Sequence, residues 1–231
     1  MITGKSSITV SIIIPCFKEK NNIRDIIGKV LAAPLANKEI IVVDDGSTPE
    51  TLDILRKEIE PLVTKVIYHE KNKGKGAALR TGFAVATGDV IIVQDADLEY
   101  DPMEFSVVLA PIERGEADVA YGSRFLMKPK NKGYILNYIA NRFLTVLSNL
   151  KTGLRLTDMQ TCYKAFRREI IQSLNLQENR FGFDPEVTAL VAKRGHNIVE
   201  VPISYNPRTF KEGKKIGWRD GLRAIYVILK N

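Results

Sequence analysis

Cysteine is scarce in this chain. Cys16 and Cys162 are the only two among 231 residues, and neither has a second thiol or histidine at metal-ligand spacing. That excludes a disulfide scaffold and a zinc ribbon, and leaves both as expected packing residues in a reducing compartment. No uncharged apolar run approaches the ~20 residues that cross a bilayer, since the best candidate, residues 133–150, is interrupted by Asn137, Asn141, Arg142 and Ser148. Residues 1–7 carry one Lys and lead straight into a strand-like segment, without the apolar core or cleavage site of a signal peptide. The expectation is a soluble chain in the cytoplasm. Low-complexity linkers and repeats are missing too, and 45% hydrophobic residues supply one sizeable core.

The charge is lopsided. The net +7 hides an acidic first half, since residues 1–119 hold 14 Lys+Arg against 19 Asp+Glu. Residues 120–180 reverse this with 11 against 3, and residues 203–231 hold 7 against 2. Such a division suits a metal site opposite a phosphate-bearing ligand or an anionic surface. Nucleic acid is not the expected partner, because the basic residues lack interleaved aromatics and any known binding motif.

Short Val/Ile-rich runs at residues 8–15, 39–44, 63–69, 89–93 and 117–121 alternate with helical patterns. This predicts an α/β fold with an open, mostly parallel sheet flanked by helices. Residues 22–31 place Ile23, Ile26, Ile27, Val30 and Leu31 on one helix face. Thr48-Pro49 reads as N-cap and first residue of a second helix, followed by helices at 76–86 and 102–112. Beyond residue 120 come a stretch of near-helical apolar spacing at 134–150, a helix at 183–193, a strand at 196–204 and a basic amphipathic helix at 217–229. That last helix suits either docking on its own domain or lying on an anionic membrane. The expected organisation is one continuous domain, 1–215, with an acidic half (1–119), a second half (120–215) and a C-terminal helix (216–231).

Ligands of open α/β sheets bind at the carboxyl ends of the strands, and three polar clusters fall there. Pro15, Phe17 and Glu19 follow the first strand, Asp44-Asp45-Gly46-Ser47 the second, and Asp95-Ala96-Asp97 the fourth. Two acids at i and i+2 of an extended segment share a side and suit one hard cation, Mg²⁺ or Mn²⁺. The same composition also makes a solvated turn. Lys73-Gly74-Lys75-Gly76 has the look of a phosphate cradle at a helix start, yet its spacing fails both the P-loop and the dinucleotide fingerprint.

Taken in order, further segments join these: Ile12-Ile13-Ile14-Pro15-Cys16-Phe17-Lys18-Glu19, Asn72-Lys73-Gly74-Lys75-Gly76, Gln94-Asp95-Ala96-Asp97-Leu98-Glu99, Gly122-Ser123-Arg124, Asp158-Met159-Gln160-Thr161, Val199-Glu200-Val201-Pro202 and the RTFKEGKK run at 208–215. With them the chain resembles inverting family 2 glycosyltransferases of the GT-A fold, near the dolichyl-phosphate and polyprenyl-phosphate mannosyl- and glucosyltransferases. The resemblance implies transfer of a hexose from a nucleotide sugar to a polyprenyl phosphate, peripherally on the inner membrane surface. A hydroxyl acceptor in envelope glycan assembly and a sugar-nucleotide-binding module without catalysis are the alternatives. By resemblance, Pro15, Phe17, Glu19 and Asp45 hold the nucleoside, with Lys73 and Ala96 in the same nucleotide-sugar site. Asp95 and Asp97 flank the diphosphate and its Mg²⁺ or Mn²⁺, with Glu99 a further ligand where relatives often carry Gln. Arg124, Arg208, Lys214 and Lys215 meet the phosphates of acceptor and donor. Asn137 and Asn141 stand where that branch often has Arg and Ser. A phosphate acceptor needs no general base, whereas a hydroxyl would, and Asp158 is then the candidate, with helix capping as its other reading.

Overall fold

The computed structural model describes residues 8–127, 135–207 and 217–231. Seven strands form one sheet in the order β3-β2-β1-β4-β6-β5-β7. They are β1 (Thr9–Cys16), β2 (Asn37–Asp44), β3 (Lys65–Tyr68), β4 (Val90–Val93), β5 (Val119–Ser123), β6 (Lys164–Arg167) and β7 (Ile198–Pro202). The centre of the sheet is a continuous apolar run on each strand: Val10 and Ile12–Ile14 in β1, Ile40–Val43 in β2 and all of β4 are buried. Both faces are covered, which is why these strands do not alternate.

The helices are α1 (Ile23–Ala32), α2 (Pro49–Ile54), α3 (Lys75–Val85), α4 (Phe105–Glu113), α5 (Ile135–Thr152), α6 (Arg168–Ser173), α7 (Phe183–Lys193) and α8 (Trp218–Lys230). In α1, Ile23, Ile26, Ile27 and Val30 are buried as the spacing predicts, but Leu31 lies in solvent. Thr48 precedes Pro49 in extended conformation, without a side-chain capping bond. The turn after α2 widens into a π-helix, Leu55–Ile59, which buries Leu55 and Ile59.

β6 and α6 are the elements the sequence pattern did not predict. β6 runs antiparallel between β4 and β5, while β1 is parallel to β2 and β4, β2 to β3, and β5 to β7. Six strands therefore end at one edge and β6 begins there. The residues before β6, from Asp158 to Tyr163, join the carboxyl-end edge from the opposite chain direction.

Two helices carry apolar rows outward. On α5, Thr145 and Ser148 are buried while Ile139, Phe143, Val146 and Leu150 are exposed, Leu150 by 79%. Steps of four, three and four residues put those four on one face. On α8, Ala224, Val227 and Ile228 are buried, and Leu222, Tyr226 and Leu229 are exposed. α8 packs on α5 and α7, and Arg223 makes a two-pronged bond to Glu178, at 3.0 Å from Nε and 2.7 Å from Nη2. It both docks on the core and presents an apolar row. Among the described residues no helix is long and apolar enough to cross a membrane.

Candidate active site

The loops at the sheet edge are stitched to one another. After β1 the chain turns at Lys18, whose φ of 56° is left-handed, and its N–H donates to Ser47 Oγ at 2.8 Å. The Asp45 N–H donates to the Cys16 carbonyl at 2.8 Å, so two hydrogen bonds tie the loops after β1 and β2 together. Pro15 and Phe17 are half-buried at this edge, and Glu19 is buried with Oε2 accepting from Asn22 at 2.8 Å.

Asp45, expected to face the nucleoside, has a second set of partners. Its buried carboxylate accepts from Asn72 Nδ2 (2.8 Å), the Lys73 N–H (2.9 Å) and the Gly74 N–H (2.7 Å), and lies 2.8 Å from His69 Nδ1. These bonds close residues 69–74 onto the end of β2. The Lys73 side chain points to solvent. Gly74 and Gly76 have a packing reason to be glycine: a Cβ would come within 2.3 Å of the Asn179 carbonyl oxygen at Gly74 and of the Glu178 carbonyl oxygen at Gly76. Their bareness lets α3 start against the segment before α7.

The lysine that reaches the acids is Lys75, which sequence reasoning passed over for Lys73. Its Nζ is 2.6 Å from Asp95 Oδ1. Burial lowers the Lys75 pKa, but Asp95, Cys162 and Asp184 together reverse this, leaving it raised. Position was the available signal, because a lysine at a helix's first residue opposes the helix dipole unless an anion faces it. Cys162, expected only to pack, hydrogen-bonds Asp95, and burial and that carboxylate push its thiol well up.

Asp95 lies two residues beyond the end of β4 and Asp97 in the bend that follows, so neither belongs to the strand itself. Asp95 stays partly open, Ala96 is buried between the two acids, and nearly buried Asp97 accepts the Glu99 N–H through Oδ1 at 3.0 Å. Glu99 Oε2 accepts from the Tyr205 hydroxyl at 3.3 Å. Among the described residues no three His, Cys, Asp or Glu side chains gather into a metal cage. Two hard carboxylates at one bend do fit a Mg²⁺ or Mn²⁺ that takes its other ligands from phosphate and water.

Across the edge, Arg124 is fixed from several sides. Its Nε and Nη2 donate to the two oxygens of fully buried Asp158, each at 2.7 Å, and its N–H to the same carboxylate at 3.0 Å. The guanidinium also lies over the rings of Tyr205 (5.0 Å) and Phe125 (5.4 Å). Asp158 is held in turn by Glu200 of β7, whose Oε1 accepts the Asp158 N–H (2.8 Å) and Oε2 the Thr157 N–H (2.7 Å). Burial raises the Glu200 pKa against these bonds. No helix starts at Asp158, which removes the capping reading. Glu200 and Tyr205 were missed as site residues, although Glu200 stands in the quoted Val-Glu-Val-Pro segment. Arg208, Lys214 and Lys215 lie outside the described residues, as does the side chain of Asn137. Asn141 is half-buried on α5.

The sequence model described as Glycosyl transferase family 2 matches residues 11–174. The chain belongs to that family. Among its relatives, dolichol-phosphate mannosyltransferase of Pyrococcus furiosus is 31% identical over 227 residues, covering 96% of this chain and 64% of that protein. Dodecaprenyl-phosphate galacturonate synthase of Rhizobium johnstonii is 30% identical, covering 87% and 60%. The polyprenol monophosphomannose synthase of Mycolicibacterium smegmatis is 30% identical, covering 89% and 80%. This chain thus spans under two thirds of the first two. Glucosyl-3-phosphoglycerate synthase from Mycobacterium tuberculosis, solved with Mn²⁺, UDP and glucosyl-3-phosphoglycerate, superposes with a TM-score of 0.75 over 98% of this chain and 80% of its own. At 20% identity that likeness establishes the fold: the mixed, mostly parallel family 2 sheet is the GT-A arrangement.

Proposed function

We propose that this family 2 member transfers a hexose, with inversion, from a nucleotide sugar of the GDP-mannose or UDP-glucose kind to a polyprenyl phosphate. The observation that carries the reading is the pairing of an acidic bend, Asp95 and Asp97, with an arginine clamped by Asp158 on the same sheet edge. Similarity to three transferases named for polyprenyl-type phosphate products supports it.

In this reading a phosphate oxygen of the acceptor attacks the anomeric carbon while the bond from that carbon to the donor diphosphate breaks, and the nucleoside diphosphate leaves with the electron pair. Asp95 and Asp97 would hold a divalent cation, which when bound offsets the charge growing on the leaving diphosphate. Pro15, Phe17 and Glu19 line the nucleoside end, with Asp45 shaping the loop beside it. Arg124 presents a fixed positive charge to a phosphate, and Arg208, Lys214 and Lys215 add charge from the adjoining segment. The acceptor is anionic at neutral pH and needs no base. Asp158 acts here as a positioning residue, because a carboxylate holding two guanidinium nitrogens is poorly placed to take a proton.

The exposed rows of α5 and α8 support peripheral docking on a membrane, where apolar side chains enter the headgroup boundary and nearby Lys151, Arg219 and Lys230 face anionic lipid. A cytoplasmic leaflet is the proposed location. A thermal-shift screen of GDP- and UDP-sugars with Mn²⁺ or Mg²⁺, followed by a transfer assay to short polyprenyl phosphates, tests the reading. Stabilisation by one nucleotide class and labelled lipid-phosphate sugar are expected. Transfer only to a free sugar or lipid hydroxyl would refute the acceptor class.

A further inference from the structure

Lys75 is held in place more firmly than a surface lysine needs. Gly74 and Gly76 on either side leave no room for a Cβ against Asn179 and Glu178, and the Ala77 N–H donates to the Asn179 carbonyl at 3.1 Å. The backbone on either side of Lys75 is therefore packed closely against residues 178–179. That side chain stands at the positive end of α3 with its ammonium 2.6 Å from Asp95 Oδ1.

A divalent cation arriving alone meets an unfavourable site. Asp95 is already balanced by Lys75, Asp97 holds the Glu99 N–H, and among the described residues no three His, Cys, Asp or Glu side chains gather into a metal cage. We infer that Lys75 is an internal counter-ion that weakens binding of the bare cation and makes it depend on the diphosphate. An arriving diphosphate draws the ammonium toward its own oxygens, which releases Asp95, and the same oxygens complete the cation's ligand shell. Cation and nucleoside diphosphate then bind as a coupled pair, each raising the other's affinity by one common factor. This rests on the reading of Asp95 and Asp97 as the cation site.

The test is a titration with Mn²⁺, followed by the paramagnetic resonance signal of the free ion, with and without UDP or GDP. Lys75→Met is expected to bind Mn²⁺ alone about fivefold more tightly than the unaltered protein, with a correspondingly smaller gain from the diphosphate. Lys75→Arg keeps the charge and should behave as the original, and Lys71→Met, which removes an exposed charge four residues away, should leave Mn²⁺ binding unchanged. Far-UV circular dichroism checks the fold, and Lys75→Gln replaces Lys75→Met if the latter fails to fold. Equal or weaker binding of Mn²⁺ alone to the folded uncharged variant overturns the counter-ion role while leaving the cation site standing. If the unaltered protein binds no Mn²⁺ with or without either diphosphate, the cation site itself falls and the inference with it.

Discussion

At the residue scale the site is organised by carboxylates that serve other side chains. Asp158 spends both oxygens on Arg124, and Glu200 spends both on the backbone at Thr157 and Asp158. Breaking a buried ion pair by removing one charge costs about 3 kcal/mol. Asp158→Asn should thus lower the melting temperature by roughly 6–12 °C in a chain of this size and reduce transfer at least about tenfold as Arg124 loses its aim. An unchanged melting curve would show that the pair contributes nothing. Glu200 predicts a pH signature. Its folded pKa is raised by burial, so the folded state holds this proton more tightly than the unfolded state. The stability it contributes is fully present below the usual Glu range and is lost as pH rises through the raised value. The stability gap between the original protein and Glu200→Gln should consequently narrow from pH 4.5 to pH 7. A gap that widens over that range would contradict the assignment. The order of strand ends put Asp95 and Asp97 at the carboxyl-end edge, and the family resemblance added Arg124 and Asp158. It could not reveal which lysine of Lys73-Gly74-Lys75-Gly76 turns inward, because that depends on where α3 begins and on its packing against residues 178–180.

At the element scale, legibility followed the physics of burial. β1, β2 and β4 were readable because a strand covered on both faces is apolar throughout. β6 was not, since its four residues begin with Lys164 and end with Arg167. Lys164 is wholly buried with its ammonium donating to the Thr161 carbonyl, 2.5 Å from Asp184 and 4.8 Å from the Tyr121 ring, and the last two partners come from distant elements. α5 was readable as a helix, but not for the side it buries: its apolar row faces out and Thr145, which accepts the Met159 N–H at 3.1 Å, faces in. Replacing Leu222, Tyr226 and Leu229 of α8 together by Ser should cut co-sedimentation with anionic vesicles several-fold and move the melting temperature little, because all three are exposed. Undiminished sedimentation would remove α8 from the membrane argument. Gly76→Ala probes the α3 start. Its methyl would press on the Glu178 carbonyl, for an expected loss of about 1–3 kcal/mol, measured by urea denaturation. A neutral result would mean that the segment before α7 yields freely.

At the scale of the whole molecule, the mixed sheet decides the chemistry. Insertion of β6 against the direction of its neighbours brings Asp158 and Cys162 to the edge where β1, β2 and β4 end, so the basic second half of the chain meets the acidic first half. The charge division in the sequence pointed to that meeting. The antiparallel insertion that creates it was not legible, because residues 158–167 carry no periodicity of their own. The central claim is transfer of a hexose to a lipid phosphate at this edge. Its most direct test is the transfer of labelled hexose from the nucleotide sugar that stabilises the protein, comparing a short polyprenyl phosphate with the corresponding alcohol, for the original protein and Asp97→Ala. The account predicts labelled product from the phosphate alone, abolished by Asp97→Ala with loss of only about 1 kcal/mol of stability for the Glu99 bond. Equal turnover by the variant, or product from the alcohol and none from the phosphate, would contradict it.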